Sequence, residues 1–382
     1  MAVIGIDYTP AYDQGGGIGR YVRELVASLA DVDGTTDYRL FVAGVHAAHP
    51  LPPIPGHNFR WCPTRISPPW LARLWHRARI PWPVEGWTGD IDLFHATDFV
   101  LPPTHSRTRT LLTVHDLSFV HLPEATSPAL KRYLDRVVPR SVNRADHILA
   151  DSQATKDDLV ELYQTPSEKI TVLLSGVSRA FRRITDQQLL QATLGKYGLG
   201  GWPFLFTVGT VQPRKNYVRL FEALAHVRAQ FPDLHLVIAG GRGWLDDPIY
   251  EAISRLGLDS AIHLIGFVQD NDLPALYSAA VAVPYVSLYE GFGLPVLEAM
   301  ACGTPVIASR VSSIPEVAGD AALLVDPLSV EAIADAIKQL IASPALAVRL
   351  VESGYVQAAR FTWERAAIQL VEVYASLLEG RP

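Results

Sequence analysis

Short apolar runs alternate along the chain with longer stretches in which apolar residues recur at helical spacing. The runs VIGID (3–7), RLFVAG (39–44), LFHAT (93–97), TLLTVHD (110–116), HILADS (147–152) and ITVLLSG (170–176) read as strands. A second set comprises FLFTVG (204–209), LHLVIAG (234–240), IHLIGFV (262–268), VAVPYV (281–286), PVIAS (305–309) and ALLVD (322–326). Between them, GRYVRELVASLAD (19–31), YVRLFEALAHVRAQF (217–231) and SVEAIADAIKQLIAS (329–343) carry an apolar stripe of helical period. Near-continuous apolar strands alternating with helices predict parallel sheets covered on both faces. The two series are separated by residues 176–203. The pattern therefore predicts an α/β chain of two doubly wound domains, residues 1–180 and 181–360, with a hinge between them. Ligands of such sheets lie beyond the carboxyl ends of the strands, so a cleft between the domains is the expected site. The stretch FTWERAAIQLVEVYASLLEG (361–380) is amphipathic and has no strand partner. It is either an ordinary terminal helix or one that returns, as part of residues 361–382, to complete the first domain.

Composition narrows the class. A chain of 382 residues exceeds what one core usually holds. Its apolar content of 49%, charged content of 19% and net charge of −6 describe a globular protein with no general attraction to nucleic acid. Cys62 and Cys302 form no metal or redox pattern, which suits a reducing compartment. The start MAVIGIDYTP carries Asp7 and lacks a basic region before a long apolar run, so it reads as a buried strand and not as a signal peptide. With no run of about 18 uncharged apolar residues, nothing is expected to span a bilayer. A soluble, cytoplasmic protein is expected.

Several segments carry chemistry. DQGGGIGRY (13–21) follows a strand and opens a helix, so its backbone N–H groups can approach an anion. Its glycines do not fit the dinucleotide spacing, and no acidic residue ends the second strand, which argues against NAD. In VGTVQPRKNYVRLFEAL (208–224), Arg214 and Lys215 open a helix. Cations there oppose the macrodipole unless an anion such as a diphosphate binds beside them. SLYEGFGLPVLEAMACGTPVI (287–307) puts Glu290 in a loop and Glu298 in or near the first turn of a helix that Pro295 helps to start. One ligand facing both carboxylates and a plain dipole-compensating acid are both compatible with that arrangement. A strand ends at His115-Asp116, the correct end for cleft residues, whereas His121 has no such support. The segment 59–87 holds five of the eight tryptophans interleaved with Arg60, Arg65, Arg73, Arg77 and Arg79. Either these tryptophans pack a proline-rich excursion, or Trp70, Arg73 and Arg77 form an acceptor mouth or a membrane-touching helix.

Taken together, the chain resembles the nucleotide-sugar glycosyltransferases of the two-Rossmann GT-B fold, in the retaining family 4 group. EGFGLPVLEAMACGTPVIAS followed by SSIPEVAGDAALLVDP (312–327) is the most specific part of the match, and GTVQPRKN and GGGIGRY stand in the same order as in the family. The resemblance implies that Glu290 meets hydroxyls of the transferred sugar, Glu298 the ribose, and the backbone of Phe292, Gly293 and Leu294 the donor. It likewise assigns Arg214 and Lys215 to the diphosphate, Gly16 and Gly17 to donor or acceptor, His115 to the side of the transferred sugar, and Val268 to the base. Asp116 would lie on the acceptor side. Many relatives carry Arg or Ser where Thr210 stands here, which would leave more of the diphosphate charge to Arg214 and Lys215. Asp90-Ile91-Asp92 has D-x-D spacing but precedes its strand, so no metal and no other cofactor is expected.

VHDLSF with GTVQPRKN looks most like mannosyltransferases of bacterial surface-polysaccharide assembly. That resemblance implies GDP-mannose as donor and a saccharide or polyprenyl-linked saccharide as acceptor, with peripheral contact at the inner face of the membrane. UDP-glucose, UDP-N-acetylglucosamine and deoxysugar nucleotides stay open as donors. A non-hydrolytic sugar-nucleotide epimerase stays open as another activity.

Overall fold

The structure, a computed structural model, describes residues 2–379. It divides into two compact units, one formed by Met1–Leu117, Ala129–Gly176 and Trp363–Pro382, the other by Ser118–Pro128 and Val177–Thr362.

In the first unit seven parallel strands, β1 (Val3–Asp7), β2 (Asp37–Val42), β3 (Phe59–Pro63), β4 (Leu93–Ala96), β5 (Arg109–Val114), β6 (His147–Ala150) and β7 (Ile170–Val172), run in the order β3-β2-β1-β4-β5-β6-β7. Central strands are sealed on both faces: Phe94, Ala96, Leu111, Leu112 and Val114 have no exposure. That is why they read as unbroken apolar runs. The C-terminal helix Trp363–Glu379 packs on the helix Gly17–Val32. Its Trp363 ring meets Tyr21 edge-on at 5.8 Å, Tyr374 Oη lies 2.8 Å from His95 Nδ1, and Gln369 donates to the Val172 carbonyl at 3.0 Å. The terminal helix thus returns to the first unit.

In the second unit β8 (Phe204–Val208), β9 (His235–Ala239) and β10 (Ile262–Gly266) form one parallel sheet, in order β10-β9-β8. The other sheet orders β11 (Val283–Tyr285), β12 (Val306–Ser309) and β13 (Ala322–Val325) in sequence. A parallel bridge between Leu205 and Ala282 joins the two, with Phe206 N donating to the Ala282 carbonyl at 3.0 Å. The continuous order β10-β9-β8-β11-β12-β13 reverses direction between β8 and β11, the position where doubly wound sheets bind ligands.

The chain enters the second unit at Val177 and leaves it after Thr362; the two ends meet where Val177 N donates to the Phe361 carbonyl at 3.1 Å. Ser118–Pro128 belongs with the second unit as well. There His121 stacks on Tyr289, ring centres 4.9 Å apart, and Trp244 Nε1 donates to the Ala125 carbonyl at 2.7 Å. The His121 stack and the Trp244 indole bond are among the contacts that hold this short strap to the second unit.

The segment 59–87 also differs from expectation, since its start is strand β3, paired with β2. Beyond it Trp75 Nε1 donates to the Trp82 carbonyl at 2.9 Å, Trp82 stacks on Trp87 at 4.8 Å, and Trp75 and Trp87 both reach Phe41. These indoles pack the excursion onto the unit. Trp70 does not: it is 57% exposed, with the Arg73 guanidinium 4.8 Å over its ring, and Arg77 is exposed beside it. No helix among the described residues is long and apolar enough to cross a membrane.

Candidate active site

In the second unit the site begins where β8 ends. A Cβ on Gly209 would lie 2.9 Å from Lys215 Cε, and one on Gly240 would strike the Gly209 carbonyl oxygen at 2.1 Å. Glycines therefore let the turns after β8 and β9 come together under the Lys215 side chain. The chain then makes one 3-10 turn, Pro213–Lys215, and Asn216 adopts a left-handed φ of 60° that Asn tolerates better than most residues. Buried Asn216 donates through Nδ2 to the carbonyls of Val286 at 3.0 Å and Pro327 at 2.7 Å. Those two bonds pin the Arg-Lys turn to the loops that follow β11 and β13.

Arg214 and Lys215 converge on Glu290. Arg214 Nη1 lies 2.7 Å from Glu290 Oε2, and Lys215 Nζ lies 2.7 Å from Oε1. Arg214 Nη1 also donates to the Tyr289 carbonyl at 2.8 Å. Lys215 Nζ contacts Tyr285 Oη at 2.9 Å and lies 4.9 Å from the centre of that ring. Two serines hold the Glu290 backbone: its N–H donates to Ser312 Oγ, and Ser313 Oγ donates to the Glu290 and Phe292 carbonyls, each at 2.9 Å. Burial alone pushes the Glu290 carboxyl up, but the Arg214 and Lys215 charges outweigh it and hold the group down at about 2. Glu290 is therefore ionised at neutral pH and is no proton donor. Each of its two oxygens pairs with one of these cations. Two cations against one carboxylate leave this corner with net positive charge, suited to a diphosphate.

After Glu290 the loop turns through Gly293, whose φ is +110° and whose absent Cβ would meet Ile314 Cδ1 at 2.7 Å. The positive φ requires glycine. No side chain caps the helix Leu294–Ala301 that follows, and its first N–H groups face the end of the loop. Glu298 sits in the second turn of this helix, later than expected, and is buried with Oε2 accepting from Tyr277 Oη at 2.8 Å. Phe292 is buried and meets Phe361 edge-on at 5.9 Å, while Leu294 is half-buried. Gly266 ends β10 with φ +71°, after which Phe267 is 60% exposed and Val268 is buried.

In the first unit Gly16 stands at the N-cap of the helix Gly17–Val32 and offers no capping side chain. A Cβ on Gly16 or Gly17 would meet nothing within 4 Å, whereas one on Gly19 would strike the Gln14 carbonyl oxygen at 2.0 Å. Gly19 is thus required by the fold, and Gly16 and Gly17 border open space. His115, at the end of β5, is buried, and half-buried Asp116 follows it. His115 Nδ1 lies 2.7 Å from Asp151 Oδ2, and Nε2 lies 2.8 Å from the Thr97 carbonyl oxygen. Among the described residues no group of three or more His, Cys, Asp or Glu side chains is placed to hold a metal ion.

Sequence reasoning missed Tyr277, Tyr285, Asn216, Ser312, Ser313 and Asp151. For Asn216 a signal existed, an Asn directly before a helix and after two cations. The tyrosines sit in apolar runs and read as core.

Residues 15–181 match the family described as Glycosyltransferase Family 4, and residues 196–357 match Glycosyl transferases group 1. The O-antigen chain mannosyltransferase B of Escherichia coli is 33% identical over 94% of this chain and 96% of its own length. Among solved structures, sucrose-phosphate synthase from Thermosynechococcus elongatus superposes with a TM-score of 0.80 over 100% of both chains at 22% identity. HepE from Anabaena, in complex with UDP and glucose, does so with a TM-score of 0.74 over 98% of this chain and 100% of its own at 19% identity. The chain is a GT-B glycosyltransferase of family 4, group 1.

Proposed function

We propose that the protein moves mannose from GDP-mannose to a hydroxyl of a saccharide or lipid-linked saccharide, with retention of anomeric configuration and without a metal ion. The observation that carries this reading is the Arg214–Lys215–Glu290 cluster at the switch point of the second unit. Its net positive charge and the two uncapped helix starts beside it, at Tyr217 and Leu294, fit a diphosphate. The relative named a mannosyltransferase supports the sugar.

In this reading the bond from the anomeric carbon to the diphosphate breaks as the bond to the acceptor oxygen forms on the same face. The acceptor proton passes to the leaving diphosphate oxygen. Arg214 and Lys215 take up the charge that develops on that leaving group, the part of the reaction where fixed cations are most effective. Glu290 holds the two cations at their stations, and Glu298 meets the ribose with Tyr277 behind it. In this reading His115 lies beside the transferred sugar, Gly16 and Gly17 against donor or acceptor, and Val268 at the base. Trp70, Arg73 and Arg77, with exposed Ile80 and Trp82, suit peripheral contact with an anionic membrane on the cytoplasmic side.

A second reading, a UDP-sugar donor, has support in the structural neighbour bound to UDP and glucose. An epimerase reading would need no acceptor. Product analysis after incubation with GDP-mannose, with and without a mannose-containing oligosaccharide, separates these. Transfer that depends on the acceptor supports the proposal; a new sugar nucleotide formed without acceptor contradicts it.

A further inference from the structure

At the carboxyl ends of β4, β5 and β6 one buried histidine is tied from both sides. His115 Nδ1 meets Asp151 Oδ2 at 2.7 Å and Nε2 meets the Thr97 carbonyl oxygen at 2.8 Å. Both partners accept hydrogen bonds in their ordinary forms. A neutral imidazole has one donor nitrogen and one lone pair, so it would set that lone pair against an oxygen on one side. Only the imidazolium donates to both. The ring is held on its other sides too, edge-on to Tyr21 at 5.0 Å and to Phe99 at 5.5 Å.

Asp151 is itself rigidly placed. It follows β6 directly, and Ser152 after it caps the helix Gln153–Tyr163 by accepting from Thr155 N at 3.1 Å. Its second oxygen, Oδ1, is buried and has no hydrogen-bond partner. The charged and titratable groups acting on the His115–Asp151 pair are Asp98, Asp116, His95 and Tyr21. Burial disfavours the charge on His115, but Asp151 first and Asp98 second outweigh it and raise the group to about 9.

We propose that Asp151 is a positioning residue which, with the Thr97 carbonyl, holds His115 as a doubly donating imidazolium. His115 then serves the transfer reaction as a fixed cation and moves no proton. The functional half of this statement rests on the proposed placement of His115 beside the transferred sugar; the protonation half does not.

Nitrogen NMR of the histidine rings in the full-length native protein tests the protonation half, with His115 assigned through its contacts to the Tyr21 and Phe99 rings. Both ring nitrogens are expected to carry protons at neutral pH, with titration near pH 9. In Asp151→Asn the same ring should titrate at least about tenfold more readily, that is, at lower pH. A bare ring nitrogen in the native protein at neutral pH, with the proton on Asp151, overturns the proposal, and this arm needs no variant to fold. The functional half is read from the pH profile of nucleoside diphosphate release from GDP-mannose. Its alkaline limb should move to lower pH in Asp151→Asn while KM stays near native. If the ring titration moves and the limb does not, the positioning role falls. If His115→Gln, still folded, transfers at the native rate at every pH, the placement beside the sugar falls while the protonation state stands.

Discussion

Lys215 Nζ and Glu290 Oε1 stand 2.7 Å apart across 75 positions of sequence, both largely buried, and Arg214 completes the cluster from the other carboxylate oxygen. The pairing joins the turn after β8 to the loop after β11, the two segments that flank the switch point of the second sheet. A carboxylate held this way is a scaffold for cations.

Replacing Glu290 by Gln should lower turnover by about a hundredfold or more, because the cations lose the charge that aims them. Stability should change as well. The Glu290 carboxyl lies at about 2 in the folded chain against an ordinary 4.5, which corresponds to about 3 kcal/mol. Because the folded value is depressed, that stability is present above pH 4.5 and is lost as pH falls toward 2. Thermal unfolding followed from neutral to acid pH should show a drop in this window that Glu290→Gln lacks. Near-native turnover in the variant would refute the role.

Tyr277→Phe should raise the nucleotide dissociation constant about two- to tenfold with kcat nearly unchanged, since a net hydrogen bond to a buried carboxylate is lost. The ring packing against Phe206 and Phe181 would remain, so the melting temperature should fall by only a few degrees, about 2 to 4 °C. Titration calorimetry checks both variants: Glu298→Ala should weaken binding further, and equal affinity in native and Glu298→Ala protein would remove Glu298 from the ribose.

Gly17→Ala and Gly19→Ala should differ in kind. The added methyl at residue 19 would strike the Gln14 carbonyl oxygen, so the fold loses stability there, by about 1 to 3 kcal/mol. At residue 17 it enters open space, so stability holds while activity drops about tenfold or more where substrate fills that space. Melting curves beside activity separate the two effects. Full activity in folded Gly17→Ala would show that no ligand comes close to that position.

Much of this architecture is legible in the sequence because strands buried on both faces must be apolar throughout, as in LLTV and LVIA. Strand β3 is not, since it lies at the sheet edge: Arg60 is exposed between buried Phe59 and Cys62, Pro63 after them is exposed too, and its tryptophan looked like part of a surface motif. The strap Ser118–Pro128 escaped because its place depends on Tyr289 and Trp244, far away in sequence. Within the candidate site, residue types and spacing singled out Arg214, Lys215, Glu290 and Glu298, but spacing along the chain carries no information on pairing. The pairing of Glu290 with Arg214 and Lys215 is visible only in the folded chain.

The claim that this cluster receives the diphosphate of a guanosine sugar is tested most directly by thermal shift with GDP, UDP, dTDP and ADP on native protein and on Lys215→Met. GDP is expected to raise the melting temperature of the native chain selectively, with most of this gain lost in the variant. Selective stabilisation by UDP would contradict the donor assignment, and an equal gain from GDP in Lys215→Met would contradict the cluster's role.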